Sequence, residues 1–331
     1  MKGRLPLAAT AALVALVPMA AAGQAGPDGW TPPVTPWGAP DLQGVWDFRT
    51  ITPMERPAEL ADRQVLTAEE AASFEARENR RLNRDLVDPK LGGAIYPPES
   101  QGGVVPYNEF WYDRGNRLVS DRRTSLIVDP PDGRLPALTP AAEARAAARR
   151  AYRRDHPADS WLDRSLADRC IVGFNAGPPM APGAYNNNVQ LLQTPEHVVI
   201  FTEMIHNARI LRLNGRPHGA IPQWHGDSRA RWEDATLVVE TRNFDGRVSV
   251  RGSTANVHLV ERFTRVGPDT ILYEFTVDDP VTWTRPWTAV VPLTRTDAPL
   301  YEYACHEGNY AMEGILGGAR ADERAAAAGV Q

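Results

Sequence analysis

The sequence predicts a mainly β protein whose core is an antiparallel meander, closed into a barrel or bent into a strongly curved sheet, with peripheral helices. Apolar and β-branched residues recur in short runs over the second half of the 331-residue chain, and Gly, Pro and Asn separate these runs. Within a run the two classes alternate, as in Tyr273, Phe275 and Val277 against Glu274 and Thr276. This is the period of a strand that buries one face.

Residues 1–25 have the three parts of a secretory signal peptide. Lys2 and Arg4 precede an apolar run over 5–20, and small residues follow it. The run is shorter than the ~20 residues that span a bilayer, and Pro18 interrupts it. We expect cleavage, a periplasmic or secreted location, and no membrane span in the mature protein.

A Pro- and Gly-rich arm over 26–40 precedes a single β-rich domain over 41–331. The segment 41–48 is typical of a first strand. A helical and irregular insertion over 49–185 follows it and separates it from the meander.

Two helices are predicted inside this insertion. Thr67 and Glu70 have the spacing of a capping box, which predicts a helix that continues to about Asp85. Thr139 before Pro140 is an N-cap followed by a first-turn proline, which predicts a helix to about Arg154.

The meander occupies 188–305, and an alanine-rich C-terminal tail follows over 310–331. Because the connections are short, we expect neighbouring strands to be antiparallel and numerous enough to close or nearly close a barrel. Eight strands are predicted, at 188–194, 197–203, 208–213, 235–241, 257–266, 270–278, 287–296 and 300–305.

The two cysteines, Cys170 and Cys305, are predicted to form a disulfide, since exported proteins commonly pair their cysteines. Closing so long a loop contributes ~4–5 kcal/mol in the chain-entropy model. Two buried free thiols are the alternative. A catalytic thiolate is disfavoured by an oxidising compartment.

Composition excludes several function classes. The 36 basic and 41 acidic residues give a net charge of −5, and they are interleaved along the chain, which argues against nucleic-acid binding. The sequence has no P-loop, no G-x-G-x-x-G fingerprint and no C-x-x-C, so no cofactor is expected. It indicates no oligomeric state.

The segment 214–232 is the loop richest in chemistry-bearing residues, including His225, Asp227 and Trp224. A histidine with a carboxylate can act as a general acid–base pair. We therefore take His225, His306 and Asp227 as candidate catalytic residues. The alternative for this loop is a hydrogen-bonded lid anchored by its tryptophans.

Further polar and aromatic residues are candidates for holding a ligand. Glu203 and His206 have E-x-x-H spacing, but on a strand residues three apart point to opposite faces. A zinc site needs three or four ligands that converge on a point, which the histidine spacing does not ensure, so no metal is predicted. The ligand-binding candidates are His206, Glu203, Trp224, Asn187, Trp283 and Glu307.

Strand parity divides the segment 301–310, YEYACHEGNY. Tyr301, Tyr303 and Cys305 would share one face of a last strand, with Glu302 and His306 on the other. The cysteine is thus separated from the histidine.

Several blocks of the sequence resemble a large group of exported bacterial proteins whose activity is uncharacterised. These blocks include YNNNVQ, EMIHNARI, WHGDSRARWEDATLVVETRNF and YEYACHEGNY, and the resemblance covers most of 40–318. It implies export and no particular chemistry. Gly44-Val45-Trp46 also resembles the G-x-W of lipocalin-like barrels, which implies that Trp46 closes one end of a barrel.

These observations favour an exported protein that binds a small, fairly apolar molecule in an aromatic pocket with a His/Asp polar end. One alternative is a hydrolase- or lyase-type enzyme that uses a His–carboxylate pair in the same pocket. Another is an envelope interaction module without catalysis, for which a filled barrel and an exposed apolar patch would be expected.

Overall fold

The computed structural model describes residues 30–83, 85 and 108–329. The predicted signal peptide lies outside these ranges. The described residues form three α-helices, α1 (Ala68–Leu82), α2 (Pro140–Asp155) and α3 (Ala311–Ala327). They also form ten strands: β1 (Gly44–Asp47), β2 (Ile127–Asp129), β3 (Asn188–Gln193), β4 (His197–Thr202), β5 (Asn207–Arg212), β6 (Asp227–Glu233), β7 (Thr236–Arg242), β8 (His258–Gly267), β9 (Thr270–Asp278) and β10 (Trp287–Thr296).

Nine of these strands close into a barrel. The order around it is β1-β3-β4-β5-β6-β7-β8-β9-β10, and β1 pairs with β10 to complete the circle. Strand β2 adds to β10 outside the circle. The predicted mainly β fold, a lipocalin-like barrel with peripheral helices, is confirmed.

One seam of the barrel differs from the others. Every neighbouring pair in the circle is antiparallel except β5 and β6, which run parallel. They share a single register pair, Arg212 with Arg229, whereas β6 and β7 share seven. The connection 213–226 returns to the rim where β5 begins before β6 starts, so the two strands have the same direction.

Side chains at alternate positions fill the barrel. In β8 and β9 the burial follows the period of two that the sequence predicted. Each fully buried aliphatic or aromatic side chain contributes about 1.5–3 kcal/mol by removal from water. The packed interior includes Val189, Leu191, Val198, Ile200, Leu211, Leu237, Val239, Leu259, Phe263, Ile271, Phe275, Val277, Trp287 and Val291.

Trp46, the tryptophan of the G-x-W segment, is part of the barrel core. The indole is fully buried and its Nε1 donates to the Leu42 carbonyl oxygen at 2.9 Å. The guanidinium carbons of Arg265 and Arg295 lie 5.5 and 5.8 Å from its ring centroid. The ring therefore packs between the core and two cations.

The peripheral helices begin where the sequence predicted. The Thr67 hydroxyl accepts from Glu70 N at 3.2 Å, and the Glu70 carboxylate accepts from Thr67 N at 2.9 Å, so the capping box is present. Helix α1 ends at Leu82. The Thr139 hydroxyl caps α2 by accepting from Ala142 N. In the described part of the chain, no helix combines the length and the apolar character needed to cross a bilayer.

The predicted strand at 300–305 is wrong. That segment has no regular secondary structure and pairs with no strand. Both edges of β10 are already occupied, one by β9 and the other by β1 and β2. No ladder position remains for a further strand beside β10. The chain instead joins the insertion through the Cys170–Cys305 disulfide, which is present with an S–S distance of 2.04 Å.

Candidate functional site

The strand register brings most of the predicted site residues to one rim of the barrel. This rim is formed where β3, β5 and β6 begin and where β4 and β7 end. Six of the candidates lie in or beside these strand ends and their connections: Asn187, Glu203, His206, Trp224, His225 and Asp227. Trp283 lies in the β9–β10 connection at the same rim. His306 and Glu307 follow the disulfide, outside the strands.

A cavity of about 440 Å³ opens at the parallel seam, between β5 and the segment that leads into β6. We call it the seam pocket. It is lined by Ala208–Leu211 of β5 and by residues 222–229. It forms here because β5 and β6 share a single register pair, so no further ladder bonds draw the two backbones together.

Arg209, which lines the seam pocket, belongs to a buried ion pair that crosses the barrel. Arg209 Nη1 donates to Glu261 Oε1 at 3.0 Å, and Nη2 donates to Oε2 at 2.6 Å. Both side chains are almost completely buried. Burial lowers the pKa of Arg209, but the charge of Glu261 outweighs it and the pKa is raised. The guanidinium therefore stays charged.

Tyr273 and a backbone amide complete this network on the far side. The Tyr273 hydroxyl donates to Glu261 Oε1 at 2.7 Å and accepts from Met180 N at 3.0 Å. Burial, with the neighbouring Glu261 charge, raises the pKa of Tyr273 well above its usual value. The phenol is a fixed neutral donor.

On the pocket side, two hydroxyls extend the network. Arg209 Nη2 lies 3.1 Å from Ser228 Oγ and 3.4 Å from Thr241 Oγ1, and the two oxygens are 2.9 Å apart. Arg209 Nε has no hydrogen-bond partner among the described residues, although it is buried.

His225 lines the seam pocket beside Arg209. Burial, with the positive charge of Arg209, lowers its pKa from 6.5 to about 4. The imidazole is therefore neutral at neutral pH. Its Nε2 is buried and has no partner among the described residues.

Asp227 lies close in sequence to His225 but has other partners. Its carboxylate accepts from Arg229 Nη1 at 2.6 Å and from Gly219 N at 2.5 Å. The neighbouring histidine is His218, whose Nδ1 is 2.9 Å from the Asp227 carbonyl oxygen. The predicted acid–base pair of His225 with Asp227 is not formed, because Arg229 and the loop backbone occupy the carboxylate.

Glu203 and His206 lie at the bend between β4 and β5. The buried Glu203 carboxylate accepts from Asn188 Nδ2 at 2.9 Å and from Tyr301 N at 3.2 Å. The His206 ring packs edge-on against Phe201, with centroids 4.4 Å apart. Glu203 thus joins the barrel to the segment that leads to the disulfide.

Asn187 and Trp283 are buried. Asn187 Oδ1 accepts from Gly183 N at 2.7 Å, and its Nδ2 donates to the Asp113 carbonyl oxygen at 2.7 Å. Trp283 is 2% exposed and packs edge-on against Trp287, with centroids 5.7 Å apart. The Asn187 hydrogen bonds fix the backbone that precedes β3, and Trp283 packs in the core.

His306 is exposed, and Glu307 lines a separate cavity of about 510 Å³ with Tyr185, Tyr303 and Tyr310. The structure therefore divides the sequence candidates. His225, Asp227 and Trp224 meet at the seam pocket, and His306 and Glu307 lie beside the disulfide.

Sequence reasoning missed Arg209, Glu261 and Tyr273. The alternation of side chains along the strands could have indicated Arg209 and Glu261. Glu261 is in phase with the apolar Leu259 and Phe263, and Arg209 is in phase with Leu211. A charge at an apolar position of a strand predicts a buried pair.

Strand β6 was also missed, because its sequence DSRARWE is strongly polar. Its period of two was nevertheless readable, with Ala230 and Trp232 alternating with Arg229, Arg231 and Glu233.

Comparison of the chain with protein-family models, with curated proteins and with solved structures finds no match. Within the described ranges, no group of three or more His, Cys, Asp or Glu residues is arranged to hold a metal ion. Function is therefore argued from the chemistry of the pocket.

Proposed function

We propose that the protein binds a small, uncharged, fairly apolar molecule with a hydrogen-bond acceptor, such as a carbonyl group, in the seam pocket. The observation that carries the proposal is the pair of unpartnered nitrogens in residues that line it, Arg209 Nε and His225 Nε2. Buried polar atoms without a partner cost free energy, about 1–3 kcal/mol each. A ligand acceptor that bonds to the Arg209 N–H after a small side-chain shift would offset this cost.

The charges of the pocket favour a neutral ligand. Arg209 is neutralised by Glu261, and Arg229 by Asp227, with closest distances of 2.6 Å in both pairs. His225 is uncharged because its pKa is lowered to about 4. A ligand charge would therefore lose its hydration without gaining an unpaired partner.

The remaining wall favours an apolar body. Ile210 is 64% exposed, and Pro222 and Trp224 face it across the seam pocket. Arg247 lies over the Trp224 ring at 4.3 Å, which holds the indole in place. A volume of about 440 Å³ is within the range of small-molecule sites.

The alternative of a hydrolase or lyase receives less support. A general base works best with a pKa near the working pH, and the pKa of His225 is about 4. Neither His225 nor His306 has a carboxylate partner among the described residues. The geometry therefore favours binding over acid–base chemistry.

The alternative of an interaction module is favoured by one observation, the filled barrel interior. Ile210 and Ile221 are exposed near the seam, by 64% and 77%. The cavity between β5 and the 222–229 segment favours a small ligand instead. Retention of a small molecule distinguishes the two.

Export is part of the proposal. The Cys170–Cys305 disulfide suits an oxidising compartment. Expression of the full chain in a Gram-negative host, followed by fractionation and intact-mass measurement, tests it. We expect a periplasmic product that has lost about 25 residues, and a full-length cytoplasmic product would contradict export.

The binding test is native mass spectrometry of the purified protein, followed by saturation-transfer NMR with three neutral probes: caprolactam, cyclohexanone and N-acetylphenylalaninamide. We expect at least one probe to bind, and His225→Leu to weaken it about tenfold. His197→Leu, at the opposite hairpin, is the matched control and should bind normally. Absence of a retained mass and of any probe binding would refute the proposal.

A further inference from the structure

A further cavity, of about 790 Å³, shares no lining residue with the seam pocket. Helix α2 forms one wall, residues 162–169 form a second, and the 246–256 connection forms a third. We call it the arginine groove, because arginines from all three walls line it. Among its lining residues Asp163 is the one acid.

Some of these arginines have carboxylate partners. Arg164 pairs with Asp168 at 3.2 Å, and Arg247 pairs with Asp245 at 2.8 Å. These two positive charges are therefore neutralised by neighbouring carboxylates.

Two others have neutral partners. Arg145 Nη2 donates to Thr282 Oγ1 at 2.9 Å, and the Arg169 guanidinium lies over the Trp161 ring at 4.4 Å. Neither contact cancels the positive charge.

The side chains of three more have no hydrogen bond and no ion pair with any described residue: Arg149, Arg153 and Arg251. Partial burial, with the charge of Arg153, lowers the pKa of Arg149. Partial burial also lowers the pKa of Arg251, although Glu55 acts against it. At Arg149 the neighbouring positive charge adds to the effect of burial, whereas at Arg251 the charge of Glu55 offsets part of it.

Asp163 does not provide that anion. Its carboxylate accepts from Ser160 N at 2.7 Å and from the Tyr152 hydroxyl at 3.0 Å. It serves as the cap of the turn at 161–163.

The spacing on α2 gives the groove a linear array of cations. Arg145, Arg149 and Arg153 are four residues apart, so they lie on one face at intervals of about 6 Å. Like charges at this spacing destabilise a helix by about 0.2–0.5 kcal/mol per pair. By contrast, several arginines on the barrel, such as Arg231 and Arg262, have carboxylate partners.

We propose that the arginine groove binds a small organic anion that carries two or more carboxylate or phosphate groups. The guanidinium fork matches both groups in a bidentate geometry. The unpaired charges come from separate walls, so a ligand with a single anionic group would leave most of them unpaired. The groove shares no lining residue with the seam pocket, so this site stands or falls independently of the proposed function.

The test is isothermal titration calorimetry of the purified protein with citrate and, separately, with inorganic tripolyphosphate. We expect saturable one-to-one binding of at least one of them, and the stronger of the two identifies the preferred anionic group. The double variant Arg149→Gln/Arg153→Gln should weaken that binding at least about tenfold. Circular-dichroism melting checks that this variant folds.

The matched control is Arg150→Gln/Arg154→Gln, which removes the same charge from the same helix at positions that do not line the groove. We expect its affinity to stay within about threefold of wild type. Failure of the wild-type protein to bind either anion overturns the proposal. Equal losses in the two double variants also overturn it, because they would indicate only a general attraction to a basic helix.

Discussion

Arg209 and Glu261 form a bidentate ion pair inside the barrel, with one nitrogen–oxygen distance of 3.0 Å and one of 2.6 Å. Arg209 belongs to β5 and Glu261 to β8, so the pair crosses the interior between strands that are not neighbours. Its Arg209 member also lines the seam pocket, at the place where the strand pairing is weakest.

Removing one partner of this pair should destabilise the protein strongly. Glu261→Gln leaves the Arg209 charge buried without compensation, and we expect the free energy of unfolding to fall by about 3–5 kcal/mol. Urea denaturation followed by tryptophan fluorescence measures the change. The double variant Arg209→Met/Glu261→Met should recover much of the loss, and a double variant as unstable as Glu261→Gln would contradict this account.

The low pKa of His225 predicts a pH dependence of stability. The unfolded side chain has a pKa of 6.5, and the folded one about 4. At a pH between these two pKa values, His225 is more protonated in the unfolded state than in the folded state, so protonation favours unfolding. The stabilisation is therefore complete above pH 6.5 and declines as the pH falls towards 4, by at most about 1.4 kcal/mol per pH unit.

Urea midpoints at intervals between pH 7.5 and pH 4.5 measure this decline. His225→Gln should make the dependence shallower in that window. The pKa of His258 is also lowered, by burial and by Arg242, so a residual slope is expected in the variant. An unchanged slope would show that His225 is not the group responsible.

Loss of the disulfide should destabilise the protein without unfolding the barrel. The bond closes a loop of 135 residues, and its removal by Cys170→Ser/Cys305→Ser should cost about 2–5 kcal/mol. Neither cysteine lies on a strand, so the far-ultraviolet circular dichroism should remain that of a β protein. Denaturation with and without dithiothreitol checks the result, since the reductant should affect only the wild-type protein.

Trp46 should be far more important for stability than Trp37. The Trp46 indole is fully buried in the barrel core, and Trp46→Ala should cost about 3–5 kcal/mol. Trp37 is 39% exposed in the N-terminal arm, and Trp37→Ala should cost less than about 1 kcal/mol. Thermal melting of the two variants compares them directly, and similar losses would contradict the assignment of Trp46 to the core.

The local elements were largely predictable, because their causes are local. The alternation around Tyr273 and Phe275 predicts β9, and the Thr67–Glu70 capping box predicts the start of α1. The C-terminal helix α3 was not predicted and was treated as a tail. It buries no residue completely, although Met312, Ile315 and Leu316 are half-buried and have the spacing of one helix face.

The candidate site was only partly predictable. The density of polar residues singled out the segment with Trp224, His225 and Asp227, and these residues do meet at the seam pocket. Their hydrogen bonds did not follow from proximity in sequence. The Asp227 carboxylate forms an ion pair with Arg229. Burial, together with the charge of Arg209 from a different strand, lowers the pKa of His225.

The sequence by itself determined the class of the fold, eight of its strands, two helix starts and the pairing of its two cysteines. Each of these depends on residue periodicity, on caps or on a unique pair. Only the tertiary structure decided that β1 closes the circle against β10, that β5 and β6 run parallel, and that Arg209 meets Glu261. These relationships join residues far apart in the chain, and their partners are fixed by barrel closure, which no local pattern encodes.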